Sequence, residues 1–306
     1  MNCRLSTVVV AVSLLLSLPS AGHTQELETR YYINMPVGVN LFQVGYGRSE
    51  GNVLIDPSLP IEGLNADLNL VSLKYGRIFD FFGRSAKAEV LLPVATGHWE
   101  GVLVGEGFRE RDVSGLADAR FTLNVNFVGS PALEMREFRN YRQKTIVGAV
   151  FQVIAPTGLY DGTKLINIGA NRWGFRPQIG ISHAIGKWVI EAAGTLWLFT
   201  DNDDFFGGTT LKQDPLYAFQ GHFVYSFKPG LWVGFDIGYA DGGTTTIAGD
   251  IKNTLQKNTR AGVTFQYPFK RRHAIRIALS RGVRTRIGAD FTSFITGYAI
   301  MWGRGL

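Results

Sequence analysis

The sequence contains one cysteine, few charged residues and no apolar run long enough for a membrane-spanning helix. Cys3 lies at the extreme N-terminus, so disulfides, thiolate metal ligands and cysteine nucleophiles are excluded from the rest of the chain. Charged residues make up 18% of the sequence, whereas soluble globular proteins have about a quarter. The 37 glycines and 12% aromatic residues are instead typical of turn-rich β-proteins.

The N-terminal region predicts a cleaved signal peptide, which implies export. Arg4 supplies the positive charge, residues 8–18 form an apolar run, and residues 19–22 provide the break and the small residues of a cleavage site. The run is well short of the roughly 20 residues that a transmembrane helix needs. We therefore predict a leader at residues 1–24, cut before His23 or Gln25, and a mature domain at residues 25–306.

The net charge of +6 is a mild excess. Nucleic-acid binding requires basic residues clustered on one face together with a matching motif. The clearest basic cluster, residues 270–272, falls at a predicted turn. We therefore predict no nucleic-acid partner.

Alternation with period two recurs along the chain and indicates strands with two different faces. In residues 117–127, the odd-numbered positions from Ala117 to Phe127 are apolar, and the even-numbered positions from Asp118 to Asn126 are polar. About twelve such segments begin near residues 36, 66, 84, 114, 144, 173, 188, 216, 231, 258, 273 and 290. Twelve is even, as expected for a single-chain bacterial barrel.

The connections predict the same architecture. Short turns at residues 186–187, 228–230 and 270–272 alternate with long polar stretches at residues 50–65, 98–114, 159–172, 201–215 and 242–257. Residues 129–143 are an exception, a long link on the short-turn side, within which residues 131–141 could form a brief amphipathic helix.

Together these patterns predict an all-β fold: a transmembrane antiparallel up-and-down β-barrel of about 12 strands with short periplasmic turns and longer extracellular loops. Inside hydrocarbon every backbone group must be paired, which strands achieve only in a closed barrel. The apolar faces then meet lipid and the polar faces line a lumen. Five tryptophans near predicted strand ends suit the aromatic girdles at the membrane interfaces, with ordinary packing as the alternative: Trp173, Trp188, Trp197, Trp232 and Trp302.

The candidate site is this lumen. The residues on the predicted polar faces are Lys87, Glu89, Asp118, Arg120, Asn124, Asn126, Arg176, Glu191, His222, Asp236, Arg260, Gln266 and Arg276. Both charge signs are present. Many of these side chains are therefore expected to pair across strands, and a minority to set selectivity.

Four motifs resemble an outer-membrane family labelled as a MetA pathway of phenol degradation. They are residues 115–118 (GLAD), 156–160 (PTGLY), 167–173 (NIGANRW), and Tyr239 followed by residues 242–244 (GGT). Ala117 departs from the glycine that the family carries before the aspartate, and the chain lacks a terminal Phe. Gly297, Ile300 and Trp302 still resemble the assembly signal of a last strand. The resemblance implies a role in passing aromatic or other apolar compounds.

Catalytic, metal and cofactor sites are not expected. The five histidines show no ligand spacing, and His222 near Ser226 is the single faint candidate for a hydrolase pair, for which lumen-lining polar groups are the better interpretation. Residues 201–204 (DNDD) lack the spaced carboxylates of a calcium loop.

The sequence therefore predicts a non-enzymatic channel or transporter in the cell outer membrane for small solutes, including aromatic or hydrophobic compounds. Its expected partners are outer-membrane lipid and lipopolysaccharide, the barrel-assembly machinery and the solutes. The alternative is a structural or surface-binding barrel with a plugged lumen.

Overall fold

The computed structural model describes residues 27–54, 61–103, 107–303 and 305. The predicted leader, residues 1–24, lies outside the described residues. The barrel wall is built from thirteen strands: β1 (Val39–Leu54), β2 (Ile61–Phe81), β3 (Arg84–Leu103), β4 (Gly107–Leu116), β5 (Ala119–Val128), β6 (Thr145–Ala155), β7 (Gly174–Ile185), β8 (Trp188–Phe199), β11 (Leu216–Lys228), β12 (Leu231–Gly242), β15 (Gln256–Lys270), β16 (His273–Arg284) and β17 (Gly288–Gly303). A small separate sheet contains β9 (Asn202–Phe205), β10 (Thr209–Gln213), β13 (Thr245–Ile247) and β14 (Asp250–Ile251).

The wall is a closed antiparallel barrel with twelve strand positions, here called staves, as predicted. Strands β4 and β5 form one interrupted stave, because both pair with β3, through Val94↔Leu116 above the break and Leu91↔Arg120 below it. Pairing of β1 with β17, in register from Val39↔Gly303, closes the circle. Among the described strands each of the twelve staves pairs with a neighbour on both sides, which satisfies the backbone groups that lie in hydrocarbon.

The two faces of the wall have opposite chemistry, also as predicted. On β5 the side chains of Phe121 and Leu123 are exposed, whereas those of Arg120, Asn124 and Asn126 are buried. Exposed apolar and buried polar residues recur in this order on the other staves. The apolar face therefore meets lipid and the polar face lines the lumen. None of the described helices is long and apolar enough to cross a membrane.

Two of the predicted loops are wrong. Most of residues 50–65 and 98–114 are strand, since β1 continues to Leu54, β2 begins at Ile61, β3 continues to Leu103 and β4 begins at Gly107. The outward side chains of β3 change from apolar (Leu92, Val94) to polar (Thr96, His98, Glu100) along this extension. These polar residues therefore belong to strands that extend beyond the membrane into water, and not to loops. Residues 201–215 and 242–257 likewise contain the strands of the small sheet.

The long link between β5 and β6 lies at the periplasmic end. It contains α1 (Met135–Phe138), a shorter helix than residues 131–141 suggested, with a capping box between Glu134 and Glu137. The link is bonded to the start of β3, because the Ser85 amide donates to the Ser130 carbonyl at 3.0 Å and the Ala132 amide donates to Gly83 at 3.0 Å.

Candidate functional site: the lumen and its N-terminal segment

Residues 27–38, here called the luminal segment, lie inside the barrel. The segment joins β1 at the periplasmic end, where the Gly38 amide donates to the Ile78 carbonyl at 2.9 Å. From there it rises through the lumen to contact Gln220, in the extracellular half of β11, through the Glu28 amide (2.9 Å). The segment was not predicted from the sequence, which gave residues 27–35 no role.

All thirteen predicted lumen residues are buried. The structure adds two cations that the sequence did not single out, Lys74 on β2 and Arg172 in the loop between β6 and β7. Leaving the segment aside, the buried charges of the wall and its loops are seven cations (Lys74, Lys87, Arg120, Arg172, Arg176, Arg260, Arg276) and four carboxylates (Glu89, Asp118, Glu191, Asp236). The lumen is therefore electropositive, whereas the sequence-selected set was nearly balanced.

The strongest contact of the segment is between Glu28 and Arg176. The guanidinium donates to both carboxylate oxygens, at 2.9 and 2.5 Å, and also to Gln178 at 2.7 Å. Arg176 and Glu28 are both almost fully buried. A planar guanidinium that faces a carboxylate in this bidentate manner is among the strongest polar contacts in proteins.

Thr29 and Arg30, which follow Glu28 in the segment, bind polar side chains on neighbouring staves. The Thr29 hydroxyl donates to Asp236 at 2.7 Å, and His222 Nδ1 is 2.7 Å from the same carboxylate. The Arg30 amide donates to Glu191 at 2.7 Å. Arg30 has φ of +63°, an unusual conformation for a residue with a Cβ, which the surrounding contacts must hold.

Tyr32 fits into a slot between two glycines. Gly148 and Gly180 face each other across β6 and β7. A Cβ on Gly180 would lie 2.2 Å from the Tyr32 ring, and a Cβ on Gly148 would lie 3.0 Å from it. The Tyr32 hydroxyl accepts a hydrogen bond from Gln178 at 2.9 Å. Without side chains at these two positions the ring can lie directly against the wall.

An apolar cluster, here called the periplasmic cluster, closes the lower end of the lumen. It joins residues from the segment, the wall and α1: Ile33, Met35, Val39, Leu41, Ile78, Met135, Ala274, Ala299 and Met301. A second, extracellular cluster lies at the upper end. Its buried members are Ala66, Trp99 and Phe291, with Ile166 of the β6–β7 loop packed against them. Between these two clusters, buried polar side chains lie beside smaller apolar groups, such as the one formed by Tyr31, Tyr32, Ile146, Val150 and Ala193.

The family motifs meet at the break between β4 and β5. Asp118 accepts hydrogen bonds from the Gly158 and Ala170 amides, each at 2.9 Å. A Cβ on Gly158 would lie 2.7 Å from Gly169, so this approach of two backbones requires glycine. The interaction holds the β6–β7 loop against the wall and explains why the stave is interrupted where it is.

Within the same loop, Asp161 accepts hydrogen bonds from the Thr163 amide (2.9 Å) and hydroxyl (2.6 Å). These bonds hold the pKa of Asp161 below its usual range, with the hydroxyl as the largest cause. The carboxylate therefore remains ionised at neutral pH and keeps this turn formed.

Two of the five tryptophans do not lie in the aromatic girdles. Trp197 and Trp232 are buried in the lumen, beneath the guanidinium groups of Arg176 (5.1 Å) and Arg276 (4.8 Å). Trp173, Trp188 and Trp302 are exposed on the outer face. The alternation on β8 could have predicted that Trp197 faces the lumen, because it lies on the same face of the strand as Glu191 and Thr195.

His222 and residues 201–204, the sequence candidates for catalysis and metal binding, make contacts within the barrel and its loops. His222 pairs with Asp236, and no hydrogen bond between His222 and Ser226 is present among the described residues. In the part of the chain that the structure describes, no three His, Cys, Asp or Glu side chains are grouped to hold a metal ion. In residues 201–204, Asn202 is buried and donates to Tyr160 at 2.9 Å.

One sequence signal could have revealed the luminal segment. Four inward-facing glycines, on four different staves, lie against it: Gly148, Gly180, Gly234 and Gly262. Each replaces a side chain on the polar face of a strand. A row of such positions indicates that something other than the wall fills the lumen there.

Comparison with known proteins agrees with this fold. A family model described as "Putative MetA-pathway of phenol degradation" matches residues 26–294. The COG4313 outer membrane channel from Pseudomonas putida F1 is similar in structure, with a TM-score of 0.77, 23% identity, and coverage of 90% of this chain and 100% of that chain. No curated protein matches this chain.

Two further barrels are more distant. The β domain of the Bordetella autotransporter BrkA has a TM-score of 0.48 and 13% identity, covering 87% of this chain and 100% of its own. The CymD monoaromatic hydrocarbon channel has a TM-score of 0.44 and 9% identity, covering 88% and 89%. Likeness at this level says nothing about the function of this chain.

Proposed function

The chain belongs to the family described as "Putative MetA-pathway of phenol degradation", and on that premise we propose that it is an outer-membrane channel for small solutes, held closed by its luminal segment. The protein is not an enzyme in this proposal. The segment is a removable occluder that continues into β1 of the wall at its periplasmic end.

The observation that carries the proposal is the polar lumen. A barrel that served only as a scaffold would be most stable with a packed apolar interior, since buried charges are costly to desolvate. Here charged side chains lie in the middle of the barrel, and residues 28–30 of the segment are bound there by hydrogen bonds to side chains of the wall. Water can replace each of those bonds when the segment leaves.

The proposed solutes are small aromatic or hydrophobic compounds. The family description supports this class, and so does the extracellular cluster, which offers apolar side chains around Trp99 and Phe291 at the outer end of the lumen. The thirteen predicted lumen residues would then line the path below that cluster.

The test is single-channel conductance in planar bilayers. The full chain is compared with a variant that lacks residues 27–34 and retains the leader. We expect brief, rare openings from the full chain and steady conductance from the deletion variant. A control deletion of residues 247–250, in the small sheet outside the wall, should conduct like the full chain.

The second candidate is the plugged structural barrel. It is favoured by the extent to which the segment fills the lumen, with Thr29, Tyr31 and Tyr32 all buried. Under this alternative, the folded deletion variant and the full chain would both be silent. Heat-modifiable migration in detergent gels would show that the deleted chain had folded.

The cellular placement is part of the same proposal. The apolar outer face and the last strand, with Tyr298 and Trp302 exposed on it, fit insertion by the barrel-assembly machinery and contact with outer-membrane lipid and lipopolysaccharide. We propose that residues 1–24 are removed during export. Recovery of the protein as a soluble periplasmic species would contradict this placement.

A further inference from the structure

We propose that Arg176 is the binding site for the carboxylate of an anionic solute, and that Glu28 is the built-in competitor that occupies it in the closed state. The inference rests on the proposed channel function and narrows its solutes to small organic anions with an apolar body. Displacement of Glu28 by such a solute would release the upper end of the luminal segment.

Arg176 is arranged as a carboxylate receptor. Both terminal nitrogens donate to the Glu28 carboxylate, at 2.9 and 2.5 Å, and Gln178 accepts a further bond at 2.7 Å that fixes the plane of the guanidinium. Thr195 in turn donates to Gln178 at 2.8 Å. The receptor is therefore oriented by the wall and does not depend on Glu28 for its geometry.

The surroundings of Arg176 suit an apolar body attached to the carboxylate. The indole of Trp197 lies against the guanidinium, 5.1 Å from its centre to the ring centroid. A small cavity beside Arg176 is lined by Thr195, Trp197, Ala218 and Gln220. The cavity as it stands has room for about one water molecule. An aromatic ring would therefore occupy the space that the Glu28 side chain leaves, and would pack there against the indole while its carboxylate binds the guanidinium.

Glu28 is the part of the segment that a solute can imitate. Its contact with Arg176 is made by a carboxylate alone, and its backbone amide is held separately by Gln220 at 2.9 Å. A carboxylate on a solute can form the same two hydrogen bonds with the Arg176 guanidinium as the Glu28 carboxylate. Because the segment is tethered to the wall, Glu28 has a high effective concentration at Arg176, and the local concentration of the solute must exceed it.

The charge of the wall favours the exchange. Seven buried cations face four buried carboxylates once the segment is left aside. Confined charges of one sign raise the local concentration of the opposite ion. An anion therefore enters this lumen more readily than a neutral molecule of the same shape.

The experiment uses Thr29→Cys in the full chain, which places the single cysteine of the mature protein at a fully buried position of the segment. Labelling by a small maleimide reports the release of the segment, and planar-bilayer conductance is recorded in parallel. The probes are benzoate and its neutral isostere benzamide. We expect benzoate to raise both the labelling rate and the open fraction about tenfold or more, the factor that one charge-assisted hydrogen bond represents, and benzamide to raise neither.

Two further variants test the pair directly. In the Thr29→Cys background, Glu28→Gln should label rapidly without benzoate, because the competitor has lost its charge. Arg176→Gln should also label rapidly and should no longer respond to benzoate. Arg48→Gln is the matched control, since Arg48 pairs with Glu50 and Asp67 on the outer surface and should leave the benzoate response unchanged.

The outcomes separate the two proposals. Equal effects of benzoate and benzamide, or a Glu28→Gln variant that labels as slowly as its parent, would overturn the Arg176 inference even if the segment-deleted channel conducts. If benzoate accelerates labelling but no variant conducts, the Arg176 site stands and the channel function fails.

Discussion

The hydroxyl oxygens of Thr29 and Thr264 lie 3.2 Å apart although 235 residues separate them in the chain. Thr29 belongs to the luminal segment and Thr264 to β15 of the wall. Both hydroxyls donate to the Asp236 carboxylate, at 2.7 and 2.6 Å. One carboxylate on β12 therefore joins the segment to the wall at a fully buried point.

This proximity allows the segment to be locked in place. In the double variant Thr29→Cys/Thr264→Cys, two sulfurs occupy the positions of the hydroxyls and need to approach by about 1 Å to form a disulfide. We expect the oxidised protein to be silent in planar bilayers and the reduced protein to conduct at least as often as the unmodified chain. The single variant Thr264→Cys should not respond to oxidant. Steady conductance by the oxidised double variant would show that solutes pass without movement of the segment.

The slot for Tyr32 gives a second prediction. In Gly180→Ala the new Cβ would lie 2.2 Å from the Tyr32 ring, so the ring must leave or the wall must move. Overpacking of this kind costs about 1–3 kcal/mol. We expect faster trypsin cleavage after Arg30, measured by mass spectrometry of the released peptide.

Two controls test the cause of that cleavage. Gly194→Ala faces outward, where a Cβ would meet Phe219 at an ordinary 3.5 Å, and should leave cleavage unchanged. Adding Tyr32→Ala to Gly180→Ala should leave the segment no looser than Tyr32→Ala alone. If Gly180→Ala has no effect by itself, the slot does not hold the segment.

The outer face gives a third prediction. Leu123 is exposed to lipid on β5, and an arginine near the bilayer midplane of a barrel costs about 2–4 kcal/mol. Leu123→Arg should reduce the free energy of unfolding by that amount in urea titrations in lipid vesicles. Val102 is similarly exposed but lies in the polar extension of β3, so Val102→Arg should change it by less than about 0.5 kcal/mol. Equal losses would place the membrane boundary elsewhere.

The wall could be predicted from the sequence because its signal is local. Strand starts at residues 84, 188, 216, 231 and 273 agree with the structure. Those at residues 188, 231 and 273 directly follow predicted short turns, and the one at residue 216 follows the polar stretch 201–215. The inward or outward direction of Leu123 and Asn124 follows from the same parity. A strand pattern of period two has only two solutions, and burial of charge in lipid rejects one of them.

The content of the lumen could not be predicted in the same way. The contact of Glu28 with Arg176 spans 148 residues, and nothing in the local sequence of either residue specifies the other. Residues 27–35 have no period of two, so a search for strands passes over them. Asn124, on the predicted polar face of β5, is almost fully buried, and the alternation of its strand does not show what covers it.

The periplasmic cluster carries the last prediction. Met135 is buried there with Ile33 and Met35 of the segment, but it belongs to the link between β5 and β6 and not to the wall. Truncation of a buried Met to Ala costs about 2–5 kcal/mol where the surroundings cannot collapse. In Met135→Ala that loss should fall on the docking of the link and the segment, and leave the hydrogen-bonded wall intact. We expect faster trypsin cleavage after Arg139 and more frequent channel openings, with an unchanged urea midpoint for the barrel.

Met301→Ala is the matched control, because Met301 lies in the same cluster on β17 and its truncation should lower that midpoint. If Met135→Ala lowers the midpoint as much as Met301→Ala and leaves cleavage of the link unchanged, the cluster is part of the core of the wall and does not act as a separate closure of the lumen.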